Sequence, residues 1–273
     1  MVSPDKNRII KTRKHVAFFN ELAREYQNAK RYEDAFFYYT EGMRVLACLE
    51  EEEEKHFKDS PGPYYEFMKN ASYSFVFDSK RRLVGGLCQT ITISNHFGMN
   101  MMHENNPTHD ILAVVLLFNM AMLQRDQFRF HDARLYLDLA LHLCLDENNK
   151  FKYSLLRKPM TIYYTMSVLD ALAQIHLSIA QKSNHFETHL SNVEYSLYYS
   201  LEACTLGRET LGAQSCLYGW ALVSLGSCLV HCGSLQLGEL AYNEASCILN
   251  CPTIWNMNVL SKLITSPAHA GAA

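Results

Sequence analysis

The sequence contains few of the residues that interrupt regular secondary structure. Its 273 residues include only 12 glycines and 7 prolines, a composition that favours long regular elements over a β fold with many turns. The longest apolar run, residues 111–123, contains Asn119 and is too short to span a bilayer. The first residues lack the apolar stretch of a secretory signal peptide. We therefore expect long helices, no membrane span and no secretion.

Neither sign of charge dominates the chain. The formal net charge is −3, whereas a general nucleic-acid binder usually has a strongly basic domain. The 9 cysteines, an odd number, lie mostly inside apolar stretches, as reduced thiols do in cytosolic or nuclear proteins. These features predict a cytoplasmic protein that does not bind nucleic acid. The basic segment Lys6–Lys14 leaves a nuclear signal or an organelle-targeting peptide open, although its interleaved apolar residues favour a solvated helix face.

Catalytic and cofactor-binding motifs are also missing from the sequence. It has no glycine-rich phosphate loop and no Gly-x-Ser-x-Gly elbow. One group of residues could bind zinc, namely Cys228, His231, Cys232, Cys247 and Cys251. The i, i+4 spacing of its cysteines, however, is also the spacing of core positions in amphipathic helices. We expect free buried thiols there, no metal, no cofactor and no catalytic residues.

What the sequence does contain is a recurring spacing of small residues. In three stretches of the chain, a small residue is followed by a second small residue twelve positions later and by a third seven positions after that. A fourth stretch has the same pattern, except that eleven extra residues separate its first two small residues. Two antiparallel helices need a small side chain on each where they cross, so that their axes approach to roughly 8–10 Å. The small residues are Ala23, Ala35 and Gly42; Ala121, Ala133 and Ala140; Ala173, Ser196 and Ala203; and Gly226, Gly238 and Ala245.

This spacing predicts four helical hairpins. Residues 1–56 hold the first, with helices over roughly 13–55 and a turn at Asn28–Arg31 that lacks the usual glycine. Residues 109–250 hold the other three. The third hairpin starts near Pro159, and its Lys182–Asn192 segment forms either an extended loop or extra helical turns.

Three further segments are predicted outside the hairpins, within one structural domain overall. Residues 57–108 are rich in aromatic residues, and Pro61-Gly62-Pro63 stops any helix there. Alternation around Tyr73–Phe77 predicts an irregular or partly extended insertion. We expect it to pack against the helices, either as a plug on the concave face or as a cover for a weak junction. Residues 251–265 are expected to form a C-terminal capping helix, and residues 266–273 a disordered tail.

The hairpins resemble tetratricopeptide repeats, and the resemblance covers about two thirds of the chain. The sequence pattern as a whole is similar to that of uncharacterised tetratricopeptide-like proteins of diatoms. The resemblance implies an all-α fold, a right-handed α-solenoid of about four hairpins with the insertion at 57–108. It also implies a scaffold or adaptor that holds a peptide or an amphipathic helix of a partner protein in a concave groove.

In such repeats the first helix of each hairpin lines the groove, so the resemblance implies a set of partner-binding residues. The set lacks the repeated lysine and asparagine of the subfamily that captures a C-terminal carboxylate, and no such clamp is predicted. The eleven residues are Asn20, Arg24 and Gln27 in the first hairpin; Val115, Phe118 and Met122 in the second; Asp170 and Gln174 in the third; and Trp220, Val223 and Ser227 in the fourth.

The sequence therefore predicts a non-catalytic interaction protein whose partner is another protein. One alternative is a subunit or assembly factor of a larger complex, in which the insertion and the tail are interface elements. Another is an enzyme with dispersed catalytic residues and a cavity behind the insertion.

Overall fold

The computed structural model describes residues 4–54, 109–145 and 159–249, which form eight α-helices and no β-strand. The prediction of an all-α fold is confirmed for this part of the chain. Within it, no single helix combines the length and the apolar composition that crossing a bilayer requires. The helices are α1 (Pro4–Asn28), α2 (Tyr32–Glu54), α3 (His109–Asp126), α4 (Phe130–Cys144), α5 (Pro159–Lys182), α6 (Phe186–Leu211), α7 (Cys216–His231) and α8 (Leu235–Leu249).

The chain divides into two compact units, Met1–Arg129 and Phe130–Ala273. In the first unit α1 packs against α2, α2 packs against α3, and α1 also contacts α3. In the second unit each helix from α4 to α8 packs against the next one along the chain, and α5 also contacts α7. In each unit one first helix thus also contacts the first helix of the next hairpin, α1 with α3 and α5 with α7, as stacked hairpins require.

Local sequence signals fix where several helices begin. Ser215 precedes α7, and its Oγ accepts a hydrogen bond from the Tyr218 amide at 3.1 Å, which satisfies one unpaired amide of the first turn. Glu33 and Asp34 occupy the first turn of α2, where the helix dipole favours negative charge. α5 begins at Pro159, as predicted for the third hairpin.

The predicted start of the first helix near residue 13 is wrong, because α1 begins at Pro4. Proline suits the first turn of a helix, since its missing amide hydrogen would have no helical partner there. The residues between Pro4 and residue 13 are mostly lysine, arginine and isoleucine and contain no helix breaker. The helical spacing of this segment therefore extends α1 toward the N-terminus.

Three turns have the same backbone geometry at the same position of the repeat. Each contains a residue with positive φ seven positions after the first small residue of its hairpin, namely Lys30 (59°), Phe128 (61°) and Gly233 (80°). The amide of the residue that follows donates a hydrogen bond of 2.8–2.9 Å to the carbonyl five positions earlier. This bond closes the end of a helix in the Schellman motif. The glycine-free turn of the first hairpin thus matches the glycine turn of the fourth.

All twelve small residues of the recurring spacing are buried. The eight alanines and Ser196 have exposed fractions of at most 1%, and Gly42, Gly226 and Gly238 are buried as well. A small residue at the protein surface would have no packing role, whereas a buried one leaves room for a neighbouring backbone. Their burial agrees with the helix-crossing role that the sequence predicts.

A glycine of the first hairpin and one of the last lie directly against a neighbouring helix. A Cβ atom added at Gly238 of α8 would lie 2.6 Å from Val230 Cγ2 and 3.1 Å from the carbonyl oxygen of Gly226, both on α7. A Cβ atom added at Gly42 of α2 would lie 3.2 Å from Leu116 Cδ2 on α3. The helices approach at these points because glycine has no side chain.

The third hairpin has its crossing at the predicted pair of small residues. Ser196 Oγ on α6 donates to the carbonyl oxygen of Ala173 on α5 at 2.7 Å. Only residues 183–185 connect the two helices. Most of the Lys182–Asn192 segment therefore forms extra helical turns at the start of α6, which is the second of the two predicted possibilities.

Several predictions concern residues outside the described ranges. These are the partly extended insertion at 57–108, the capping helix at 251–265 and the disordered tail at 266–273. They stay predictions, as does the organisation of the whole chain as one structural domain.

Candidate partner-binding surface

The polar groove residues of the first hairpin form a ladder of hydrogen bonds between α1 and α3. Asn119 Nδ2 donates to Asn20 Oδ1 at 2.8 Å, and Gln27 Nε2 donates to Asp126 Oδ2 at 2.9 Å. Both bonds join residues that are 99 positions apart. The second bonded pair lies seven residues beyond the first on both helices. α1 and α3 therefore run parallel and in register.

The other polar groups of this ladder are also paired within the protein. Tyr39, which is fully buried, donates from its hydroxyl to Gln27 Oε1 at 3.0 Å. Burial raises the pKa of Tyr39, so the hydroxyl stays protonated and keeps its role as a donor. Arg24 binds both carboxylate oxygens of Glu21, at 3.0 and 3.1 Å. These contacts hold α1, α2 and α3 together and leave little of the ladder for a partner.

The apolar groove residues of α3 are only partly accessible. Val115 is buried, with 3% of its surface exposed, whereas Phe118 and Met122 are partly buried. The residues of α3 that face α1 are Asn119 and Asp126, which sequence reasoning missed. A signal for them existed, because polar residues seven positions apart occur in both helices, Asn20 and Gln27 in α1 and Asn119 and Asp126 in α3.

The groove residues of α5 belong to a partly buried stripe along that helix. Gln174 Nε2 donates to Asp170 Oδ2 at 2.7 Å. Two serines of the stripe bond to their own helix, since Ser167 Oγ donates to the Tyr163 carbonyl and Ser178 Oγ to the Gln174 carbonyl, both at 2.8 Å. The stripe is thus a row of polar side chains with one carboxylate, spaced three or four residues apart.

The groove residues of α7 differ in their exposure. Trp220 is 44% exposed, which is unusual for the largest apolar side chain of a domain. Val223 is partly buried against the core of the second unit. Ser227 Oγ lies 2.7 Å from the Tyr242 hydroxyl of α8 and donates to the Val223 carbonyl at 3.0 Å. Because α5 contacts α7, Asp170, Gln174 and Trp220 lie on neighbouring helices.

One of the buried thiols of the second unit, that of Cys228, is paired with hydroxyl groups. Cys228 Sγ lies 2.8 Å from Ser196 Oγ and 3.3 Å from Ser200 Oγ. Burial raises the pKa of the Cys228 thiol, and burial raises that of Cys204 to about 12. Both thiols are therefore protonated at neutral pH and are poor nucleophiles and poor metal ligands. They contribute to packing.

A metal site is not present in the described part of the chain, where no three His, Cys, Asp or Glu side chains converge. Of the group considered for zinc, Cys228 is buried while Cys232 and Cys247 are exposed. Cys251 lies outside the described residues. The expectation that the protein has no cofactor stays an expectation.

A buried histidine lies in the C-terminal half of α5. His176 is 3% exposed and lies between two tyrosine rings, with centroid distances of 5.1 Å to Tyr195 and 5.6 Å to Tyr199. Its Nδ1 lies 2.8 Å from Asn192 Oδ1, which places a proton on Nδ1. Burial lowers the pKa of His176, and the nearby charge of Arg134 lowers it further. The side chain thus acts as a neutral aromatic residue.

This buried histidine predicts a loss of stability in mild acid. Because its folded-state pKa is lowered, the unfolded chain binds more protons as the pH falls through about 6.5, so stability that is present at higher pH is lost. Urea unfolding at about pH 7.5 and about pH 5.5 should show a larger loss for the wild type than for His176→Phe. The difference should be at most about 1.4 kcal/mol, because pH 5.5 lies only about one pH unit below the unfolded-state pKa. Equal losses in the two proteins would contradict the burial of a neutral His176.

Comparison of the chain with family models, with curated proteins and with solved structures finds no match. The resemblance to tetratricopeptide repeats therefore depends on the spacing of residues along the chain. The structure places Asn20 and Val115 in the interior and leaves Trp220 accessible. The partner-binding role of the eleven residues stays a prediction.

Proposed function

We propose that this protein is a non-catalytic interaction protein, a right-handed α-solenoid of tetratricopeptide-like hairpins that binds a peptide or an amphipathic helix. The observation that carries the proposal is the repetition of the hairpin. Small residues at matching positions are buried, and turns at matching positions share one geometry although their central residues are lysine, phenylalanine and glycine. Stacked hairpins of this kind present extended surfaces to partners.

The first helices of the hairpins supply the proposed binding surface. In the second unit, α5 offers the polar stripe with Asp170 and Gln174, and α7 offers the exposed ring of Trp220. A partly exposed tryptophan is typical of an anchor point in a protein interface. A peptide or helix that buries this ring would gain apolar contact there and hydrogen bonds along α5.

A cytoplasmic location is part of the proposal. All seven described cysteines are free, and three of them, Cys144, Cys204 and Cys228, are buried. Reduced, buried thiols are usual in a reducing compartment. Microscopy of the tagged full chain in its native cells tests the location, and a signal confined to an oxidising compartment would contradict it.

Photo-crosslinking at single positions tests the binding surface. A photoreactive phenylalanine derivative replaces either Trp220 or Gln174, and the protein is irradiated in native cells. We expect both positions to give covalent adducts with the same partner protein, which mass spectrometry identifies. Matched control positions are Gln236 and Asn243, which are exposed on α8, the second helix of its hairpin.

The outcomes of this experiment separate the possible functions. Adducts that form at Trp220 and Gln174 but not at Gln236 and Asn243 support a partner-binding groove on the first helices of the hairpins. Comparable adducts at all four positions favour the alternative in which the chain is a subunit embedded in a complex. No protein adduct at any of them contradicts the proposed function.

A further inference from the structure

The outer face of α6 carries large apolar side chains that stay exposed beside the other described helices of its unit. Four of them are about half exposed, with exposed fractions of 46% for Leu190, 51% for Tyr195, 55% for Tyr198 and 47% for Leu201. They recur at intervals of three to five residues and so lie along one side of the helix. Exposed apolar residues that are grouped in this way mark interaction sites more often than scattered ones do.

The opposite face of the same helix is the one that packs against the core of the second unit. Ser196, Ser200 and Ala203 are at most 1% exposed, and Ser196 and Ser200 contact Cys228 on α7. α6 therefore uses its small residues to approach α5 and α7. Tyr195, at the edge of the exposed stripe, also contacts the His176 ring of α5. The other three, Leu190, Tyr198 and Leu201, do not belong to the core of this unit.

Acidic residues accompany the apolar stripe. α6 contains four glutamates, a single arginine (Arg208) and no lysine or aspartate. The glutamates are spaced seven or eight residues apart, which keeps them on the same side of the helix as the exposed apolar residues. Within the described ranges none of the four forms a salt bridge, and they are Glu187, Glu194, Glu202 and Glu209.

The chemistry of this face selects one class of partner. Four unpaired carboxylates repel nucleic acids and anionic membranes, both of which carry phosphate groups. The same carboxylates attract lysine and arginine, and the leucine and tyrosine side chains between them need apolar contacts. A helix has both features when its apolar residues recur every three or four positions and basic residues flank them.

We propose that the outer face of α6 is a docking surface for a basic amphipathic helix of a partner protein. The apolar side of the partner covers Leu190, Tyr198 and Leu201, and its basic residues meet Glu187 and Glu194. None of the eleven groove residues lies on α6, so this surface is separate from the proposed groove. The two binding proposals can therefore be tested independently.

A binding titration with a designed peptide tests this surface. The probe is a fluorescein-labelled synthetic helix in which leucine recurs every third or fourth position and lysine fills the flanking positions, and fluorescence anisotropy follows its binding to the full chain. We expect saturable binding that weakens about tenfold in Tyr198→Ser, the effect of truncating an aromatic anchor. A peptide of the same composition with dispersed leucines should bind at least about tenfold more weakly.

A charge exchange distinguishes this surface from general attraction between acidic and basic molecules. The double variant Glu187→Lys with Glu194→Lys should no longer bind the lysine peptide. It should instead bind a peptide in which glutamate replaces every lysine. The matched control, Glu25→Lys with Glu33→Lys, reverses two exposed glutamates of the first unit and should keep wild-type binding. All substituted positions on α6 are exposed, so the variants should fold normally.

Three results would overturn the proposal. The first is no binding of the lysine peptide to the wild type. The second is equal loss of binding in the α6 and control variants. The third is a wild-type chain that associates with itself and that becomes monomeric in Tyr198→Ser, since the face would then bind a second copy.

Discussion

Replacing Gly238 with alanine should lower the free energy of unfolding by roughly 1–3 kcal/mol, as overpacking of a filled interior does. The added Cβ would lie 2.6 Å from Val230 Cγ2, 3.1 Å from the Gly226 carbonyl oxygen and 3.3 Å from the Val230 amide nitrogen. Two of these atoms belong to the backbone, so the substitution must push α7 and α8 apart. The loss should exceed the gain of roughly 1 kcal/mol that alanine brings to a helix.

Urea unfolding and thermal unfolding, both followed by circular dichroism, measure this effect. The melting temperature should fall by roughly 2–12 °C. The matched control is Asn243→Ala, an exposed position on the same helix, which should change stability by less than about 0.5 kcal/mol. If Gly238→Ala is as stable as the wild type, the two helices do not approach each other at this glycine.

The second large effect is expected in the polar ladder of the first unit. Replacing Asn119 with leucine removes the donor to Asn20 Oδ1, and Asn20 is only 4% exposed. A buried acceptor without a donor costs about 1–3 kcal/mol. Asn119→Leu should therefore be destabilised by that amount in urea unfolding.

The double variant Asn20→Leu with Asn119→Leu identifies the cause of this loss. Replacing both amides by apolar side chains of similar size removes the unpaired acceptor as well, so much of the lost stability should return. The coupling between the two positions in a double-mutant cycle should be at least about 1 kcal/mol. Losses that simply add would show that the two amides do not interact.

The helical architecture of the described residues could be predicted from the sequence because it depends on local spacing. The distances from Ala23 to Ala35 and from Gly226 to Gly238 are set within one hairpin, where the chain itself brings the small residues together. Even the glycine-free turn follows this rule. Lys30 takes a left-handed conformation because the packing of α1 against α2 fixes where the turn must occur, and it outweighs the roughly 1–2 kcal/mol cost for a residue with a Cβ atom.

The contacts between hairpins could not be predicted from local spacing. Asn20 and Asn119 are 99 positions apart, and their pairing depends on the register of two helices separated by an insertion. Without that register, Asn20 could equally line a groove, as the sequence suggested, or bind a neighbouring helix, as the structure shows. The long α6 is a related case, because its extra turns, which carry the exposed Leu190, come from an insertion that the repeat spacing does not explain.

The claim that small side chains mark the points where these helices meet can be tested by a leucine scan. Each of the twelve small residues is replaced singly by leucine, an exposed residue of the same helix serves as its control, and thermal unfolding of the full chain is measured. The account predicts that every substitution at a small residue lowers the melting temperature, whereas the controls leave it unchanged. A hairpin in which all three leucine variants melt at the wild-type temperature would contradict it.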